Sequence, residues 1–180
     1  MRILLIGDYK PIIGGPATVV TNLARYLSEK DDVIVVSTEK PTYDRGLRYW
    51  IEGNIEIYQE RLPLFGSFTF IQSSIQKMKR CWSLRKTVDI YHAHSTYDGL
   101  IGLVDRKKPL VITLHGYTIQ ELLFSGELRV GSILYSIYNF IDKMVIGRAD
   151  AIIAVGLKQR EWLINTYNLN PSKVIYIPNG

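Results

Sequence analysis

Short apolar runs alternate with turns and helical stretches along the whole chain, and this alternation constrains the fold more than any other feature. Most of the runs are continuously apolar, which is typical of strands buried on both faces of a parallel sheet. Strand, crossover and parallel strand in succession predict an α/β fold with a doubly wound, mostly parallel, Rossmann-like sheet. The predicted buried strands are residues 2–7, 33–37, 89–94, 110–115, 151–155 and 174–177.

One further run, residues 54–60, alternates apolar and polar residues. This pattern predicts a strand with one wetter face, as an edge strand has. Helices are predicted between the strands. The first has Gly15 and Pro16 at its start, where an N-cap and a first-turn residue are expected. The predicted helices are residues 16–29, 68–85, 97–105, 129–148 and 158–167.

Length and composition predict one domain spanning residues 1–180. With 180 residues, 47% of them hydrophobic, the chain is long enough to bury a single core without metal or disulfide staples. A single cysteine, Cys81, excludes an internal disulfide and suits a reducing compartment. Asp8 interrupts the apolar start too early for a signal peptide, and no charge-free stretch approaches the roughly 20 residues of a membrane span. We expect a cytoplasmic protein.

The net charge of +5 is unevenly distributed. Residues 62–88 contain five basic side chains, no acidic one and several aromatic ones. Two interpretations stay open for the segment from Phe68 to Lys86: an ordinary amphipathic helix with a solvated basic side, or a peripheral contact with anionic membrane lipid. Motifs for binding nucleic acid are absent from the sequence.

All three histidines lie at or beside predicted strand ends. Ligands of doubly wound sheets bind at the carboxyl ends of the strands. His92 and His94 alternate on one strand and share a face, but no acidic residue or cysteine at a fitting spacing completes a metal site, so no metal is predicted. His115 ends a strand and precedes Gly116, where a ligand can approach the backbone; protonated, the ring could support developing phosphate charge.

The segment from Gly7 to Pro16 follows a strand and opens a helix. Amides of Gly14 and Gly15 at the positive end of that helix suit an anion such as a phosphate. The alternative is a turn that needs glycine for positive φ and close packing. The spacing fits neither the dinucleotide-binding fingerprint nor the P-loop.

In order and spacing, four segments resemble the N-terminal half of group 1 glycosyltransferases, glycosyltransferase family 4, which have the two-domain GT-B architecture. They are RILLIGDYKPIIGGPATVVTNLARYL, DIYHAHS, LVITLHGY and the pair ADAIIAVGLKQREWL and KVIYIPNG. One departure is Gly156, because the family commonly has serine there and a hydroxyl contact or helix cap is then missing.

The resemblance implies a retaining, metal-independent enzyme that moves a sugar from a nucleotide diphosphate sugar, UDP- or GDP-linked, to a glycan or lipid-linked acceptor, with no further cofactor. By position, Gly14 and Gly15 would approach the diphosphate, and His115 would be the catalytic contact to the donor sugar or its departing phosphate. His94, Ser95 and Tyr117 would line the cleft on the acceptor side, and Gly116 would also be a substrate-binding residue. The nucleotide-sugar domain would lie outside these residues, so we expect them to be inactive alone.

Two alternatives remain at this stage. The chain could be a separate acceptor- or membrane-binding subunit of a split GT-B enzyme. It could also serve another activity, such as a sugar-nucleotide epimerase or phosphorylase, or an unrelated Rossmann-type oxidoreductase, although the glycine spacing argues against the last.

Overall fold

A single eight-stranded sheet forms the centre of the molecule. The computed structural model describes residues 1–10, 14–42, 46–63 and 69–179. The strands run in the order β3-β4-β2-β1-β5-β6-β7-β8, and every neighbouring pair is parallel except β3 and β4. This arrangement confirms the predicted fold class. The strands are β1 (Arg2–Ile6), β2 (Asp32–Thr42), β3 (Gly46–Glu52), β4 (Ile55–Pro63), β5 (Ile90–Ala93), β6 (Leu110–Leu114), β7 (Ala151–Ala154) and β8 (Val174–Tyr176).

Hydrophobic side chains are buried on both faces of the central strands. In β1, Leu4 and Ile6 belong to one core cluster, whereas Ile3 and Leu5 belong to the cluster on the opposite face. Successive side chains of a strand point to opposite faces, so a strand covered on both sides must be apolar at every position. This explains the continuous apolar runs of the sequence.

Helices cover the two faces of the sheet, and most lie where the sequence predicts them. The predicted helix 97–105 begins with a 3-10 turn, Asp98–Leu100, and the predicted helix 129–148 begins only at Ile133, after the cap Ser132. The helices are α1 (Gly15–Leu27), α2 (Thr69–Leu84), α3 (Ile101–Val104), α4 (Thr118–Phe124), α5 (Ile133–Arg148) and α6 (Leu157–Tyr167). The short helix α4 was not predicted.

The prediction that residues 54–60 form an edge strand is wrong. β4 does carry one wetter face, but β3 pairs with it antiparallel and takes the edge position. The turn between them contains Gly53, whose φ is +60°, followed by Asn54. A glycine and an asparagine between two β-rich runs are a hairpin signal that sequence analysis overlooked.

Helix α2 does not present the continuous basic side that its sequence suggests. Lys77 is only 6% exposed and forms an ion pair with Asp98. Arg80 Nε donates to Glu60 at 2.8 Å, and the Arg85 guanidinium lies 3.9 Å from the centre of the Trp82 ring. Phe68, together with the side chains of Phe70 and Ile71, lies outside the described residues. None of the described helices is long and apolar enough to cross a bilayer.

Candidate functional site

An open cavity of about 620 Å³ lies at the carboxyl edge of the sheet, where the loops after β1, β5 and β6 meet the start of α1. We call it the edge cavity. Five predicted site residues line it, namely Gly15, His94, Ser95, His115 and Gly116. Its other lining residues, which sequence analysis did not assign to the site, are Asp8, Pro16, Ser73, Lys77, Asp98, Leu114, Thr118, Glu121 and Asn179.

The three histidines form one stacked column leading to the edge cavity. The rings of His92 and His94 are stacked with centroids 4.7 Å apart, and those of His94 and His115 with centroids 5.3 Å apart. His94 Nδ1 and His115 Nε2 are 3.0 Å apart and share a hydrogen bond, while His92 Nε2 is 2.8 Å from Thr113 Oγ1. β5 and β6 are paired in register, which brings their histidine-bearing ends side by side.

Burial keeps all three rings neutral at pH 7. It lowers the pKa of His92 to about 4, that of His94 well below its ordinary range, and that of His115 to a lesser extent. A neutral imidazole has one donor and one acceptor nitrogen, so in the shared hydrogen bond the tautomer of one ring fixes the tautomer of the other. The outer atoms of this pair, His94 Nε2 and His115 Nδ1, are buried and have no hydrogen-bond partner among the described residues.

A buried ion pair between Lys77 and Asp98 forms another wall of the edge cavity. Burial by itself lowers the pKa of Lys77, but the carboxylates of Asp98 and Asp8 outweigh it, so the pKa lies above its ordinary value and the ammonium stays charged. Sequence analysis assigned Lys77 to a solvated surface. The overlooked signal is its spacing, because Lys77 lies three residues after Ser74 and four before Cys81, and all three are buried.

Neither packing nor backbone strain explains the paired glycines at the start of α1. A Cβ atom added at Gly14 or Gly15 would meet no atom of the described residues within 4 Å. The backbone of Gly14 is extended, with φ of 160°, and Gly15 is the first residue of α1. At Gly14 and Gly15 the turn alternative, which requires positive φ and close packing, is therefore not supported, whereas Gly7 does pack closely, because a Cβ atom there would lie 3.0 Å from His94 Cβ. Among the described residues, the space over the helix start is open to a ligand.

Ser95 and Gly116 have structural contacts in addition to lining the edge cavity. Ser95 Oγ accepts a hydrogen bond from the Asp98 amide at 3.1 Å, at the start of the 3-10 turn. The Gly116 carbonyl accepts a hydrogen bond from Gln159 Nε2 at 3.1 Å, and Gln159 Oε1 accepts one from the Val155 amide at 3.0 Å. Gln159 therefore ties the start of α6 to the loop after β6, beside Gly156, which supplies no side-chain cap.

Tyr117 does not line the edge cavity. Its ring packs edge-on against Trp162, with centroids 4.7 Å apart, in a smaller neighbouring cavity of about 320 Å³ between α4, α5 and α6. Among the described residues, no group of three or more histidine, cysteine or acidic side chains could hold a metal ion.

Comparison with family models gives a match to Glycosyltransferase Family 4 over residues 13–180, nearly the whole chain. A comparison with curated protein sequences finds no match.

Solved structures of sugar-transferring enzymes have the same fold. The chain superposes on sucrose-phosphate synthase from Thermosynechococcus elongatus with a TM-score of 0.72 and 14% identity, covering 99% of this chain and 48% of that one. For the catalytic domain of starch synthase IV from Arabidopsis thaliana, bound to ADP and acarbose, the TM-score is 0.63 at 16% identity, with coverages of 99% and 51%. For a UDP-forming α,α-trehalose-phosphate synthase from Burkholderia vietnamiensis, the TM-score is 0.64 at 11% identity, and the match covers 99% of this chain and 48% of that one. This chain thus spans about half the length of each.

Proposed function

The chain belongs to glycosyltransferase family 4, as its motifs predict, and on that premise we propose that it is the acceptor-side half of a retaining glycosyltransferase. The enzyme would transfer a sugar from a nucleotide diphosphate sugar to an acceptor bound at the edge cavity. The solved relatives are about twice as long, so in this proposal a second α/β unit supplies most of the nucleotide contacts.

One observation carries the proposal: the open start of α1, the ammonium of Lys77 and the ring of His115 all border the same cavity. Breaking the bond between sugar and diphosphate leaves negative charge on the departing phosphate. Amides at a helix start stabilise such charge, most strongly where water is excluded. The Lys77 ammonium would add less, because Asp98 already balances its charge. A sugar transfer at this edge of the sheet requires stabilisation of that negative charge and an open side of the cavity at which the acceptor can bind.

His115 acts in this proposal as a neutral hydrogen-bonding group and not as a cation. Its pKa is lowered by burial, so the imidazolium suggested by sequence reasoning is disfavoured. His115 Nε2 is engaged by His94, which leaves Nδ1 as the ring atom with unsatisfied hydrogen-bonding capacity. With Nδ1 protonated, it would donate to a hydroxyl or phosphate oxygen of the donor. The carboxylates of Asp8 and Glu121 on the same cavity would accept hydrogen bonds from acceptor hydroxyls.

The proposal is tested by titrating this chain with UDP-, ADP- and GDP-glucose while following its amide and histidine signals by NMR. We expect weak binding that shifts signals of Gly15, Lys77 and His115, and no turnover in the absence of the second unit. Shifts confined to residues remote from the edge cavity would contradict the proposal, and so would sugar transfer by this chain alone.

Product analysis with the complete enzyme separates the remaining alternatives. A transferase yields glycosylated acceptor and nucleoside diphosphate, whereas an epimerase converts the sugar nucleotide without an acceptor. A chain that binds acceptor but depends on a separate catalytic protein would show transfer only when that protein is added.

A further inference from the structure

Helix α5 is apolar on both its inward and its outward face. Its inward side chains Tyr138, Val145 and Ile146 are buried against neighbouring helices and the sheet. A surface helix of a globular protein normally carries polar residues on the opposite side. On α5 that side instead carries exposed Ile133, Ile137, Phe140 and Met144.

The four outward residues follow one another at intervals of four, three and four, so they form a straight stripe along the helix. Their exposed fractions are 83%, 44%, 64% and 40% in chain order. Phe124, at the end of α4 and 97% exposed, and Val130, 75% exposed in the connecting loop, add to the apolar side chains near the start of α5. We call these six residues the α5 surface. Scattered single apolar residues are common on protein surfaces, but a group of this size marks an interaction site.

Positive charge accompanies the α5 surface. Arg129 and Lys143 are both exposed, and neither forms an ion pair with any residue that the structure describes. The acidic residue within α5, Asp142, points inward and is buried. Glu127 in the preceding loop is the acidic side chain exposed nearby.

We propose that the α5 surface binds an anionic lipid bilayer, with α5 lying in the plane of the interface. Exposed phenylalanine and aliphatic side chains enter the boundary between headgroups and acyl chains, and basic residues beside them attract anionic headgroups. This contact is independent of the proposed catalytic role, because its test measures binding and not sugar transfer.

Charge distinguishes a bilayer from a second copy of the chain as the occupant. The spacing of the stripe would also suit a pair of packed helices. Two α5 helices packed together would bring Arg129 and Lys143 of both copies to one interface, where Glu127 of the preceding loop could pair with only one of the two cations of each copy. An anionic bilayer satisfies both cations, whereas a second copy leaves one cation per chain unpaired.

Helix α2, the membrane contact considered from the sequence, provides a matched comparison. Trp82 and Ile75 of α2 are 44% and 38% exposed. Lys77 and Arg80 of α2, and Arg85 just after it, are engaged within the protein, whereas Lys79 and Lys86 are exposed without an ion pair to any described residue. Tryptophan is enriched at membrane interfaces, so Trp82→Ser is a stringent control. The α5 proposal requires this control to retain membrane binding.

Co-sedimentation with vesicles tests the proposal. The vesicles contain phosphatidylcholine alone or with about 30% phosphatidylglycerol. We expect the chain to sediment with the anionic vesicles, Ile133→Ser/Phe140→Ser to lower the partition coefficient about ten-fold or more, and Arg129→Glu/Lys143→Glu to abolish the preference for anionic lipid. Trp82→Ser should bind like the unaltered chain. The altered side chains are all exposed, and circular dichroism during thermal unfolding checks that each variant is folded.

Three results would overturn the proposal. The first is an unaltered chain that sediments with neither vesicle type. The second is an equal loss of binding in Trp82→Ser and in the α5 variants. The third is a dimer in size-exclusion chromatography that Ile133→Ser/Phe140→Ser dissociates, which would assign the α5 surface to a second copy.

Discussion

The chemistry available to the histidine column depends on His94 Nε2 and His115 Nδ1, two buried ring nitrogens that have no hydrogen-bond partner in the part of the chain that the structure describes. Because His94 and His115 share one hydrogen bond, only one of these outer atoms carries a proton at a time while both rings are neutral. A ligand that accepts a hydrogen bond from His115 therefore also selects the tautomer of His94. The pair responds to substrate as a unit.

At the scale of single residues, we predict that His115→Ala lowers kcat/KM of the complete enzyme by about 100- to 1,000-fold. This is the usual effect of removing one group that stabilises the transition state. Transfer assays measure the loss. His92→Gln is the matched control, because His92 belongs to the same column but does not line the edge cavity, and it should retain activity within a few-fold. Comparable losses in both variants would mean that the column serves only packing.

A second residue-scale prediction concerns the start of α1. Gly15→Ala adds a methyl group in open space, so the stability of the fold should stay the same or rise by up to about 1 kcal/mol. The affinity for a nucleotide sugar should fall about ten-fold, because the methyl occupies space proposed for the diphosphate. Calorimetric titration and urea unfolding measure the two quantities.

The control for Gly15 is Gly102→Ala. A Cβ atom there would lie 2.5 Å from Leu110 Cδ2, and Leu110 is fully buried. This variant should lose stability but bind the nucleotide sugar normally while folded. If Gly15→Ala bound the nucleotide sugar as tightly as the unaltered chain, the proposal that the start of α1 contacts the diphosphate would be contradicted.

At the scale of elements, the Lys77 and Asp98 pair joins α2 to the 3-10 turn after β5. Removing one partner leaves a buried charge without compensation, which typically costs about 3–5 kcal/mol, whereas replacing both with uncharged residues costs far less. We therefore predict that Lys77→Met destabilises the fold strongly and that Lys77→Met/Asp98→Asn recovers most of the loss. Urea unfolding of the three proteins measures this, and equal stability of the single and double variants would contradict it.

Elements were predictable from the sequence where periodicity and burial agree, as in the seven predicted strands, all of which form. β3 was missed because its outward residues Leu47, Tyr49 and Ile51 are apolar but exposed, so neither alternation nor a buried run identifies it.

The candidate site was predictable in part, because the parallel topology brings the carboxyl ends of the strands together at one edge of the sheet. The position of Lys77 in the edge cavity could not be read in the same way, because its orientation depends on a partner, Asp98, that is distant in sequence. Likewise, Tyr117 follows a strand end but turns towards Trp162.

At the scale of the whole molecule, proton binding couples the edge cavity to global stability. The folded chain keeps its histidines neutral, whereas unfolded histidines titrate near pH 6.5, so the unfolded state binds more protons below that pH. Stability should therefore be fully present above about pH 6.5 and fall as the pH is lowered. For His92, whose pKa is about 4 in the fold, the total loss below pH 4 is roughly 3 kcal/mol.

The measurement is urea unfolding of the chain between pH 8 and pH 5, compared with His92→Gln. The variant should show a shallower decline over this range, since it lacks one group that gains a proton on unfolding. Parallel pH dependences for the two proteins would mean that His92 titrates normally in the fold.

The stacked column also offers a practical consequence. His92, His94 and His115 are all the histidines that the chain has. Isotope labelling of histidine alone would therefore give an NMR spectrum in which every side-chain signal comes from this one column. Nitrogen chemical shifts would report the tautomer of each ring directly, and a tautomer exchange on adding a sugar nucleotide would register the arrival of substrate without any engineered probe.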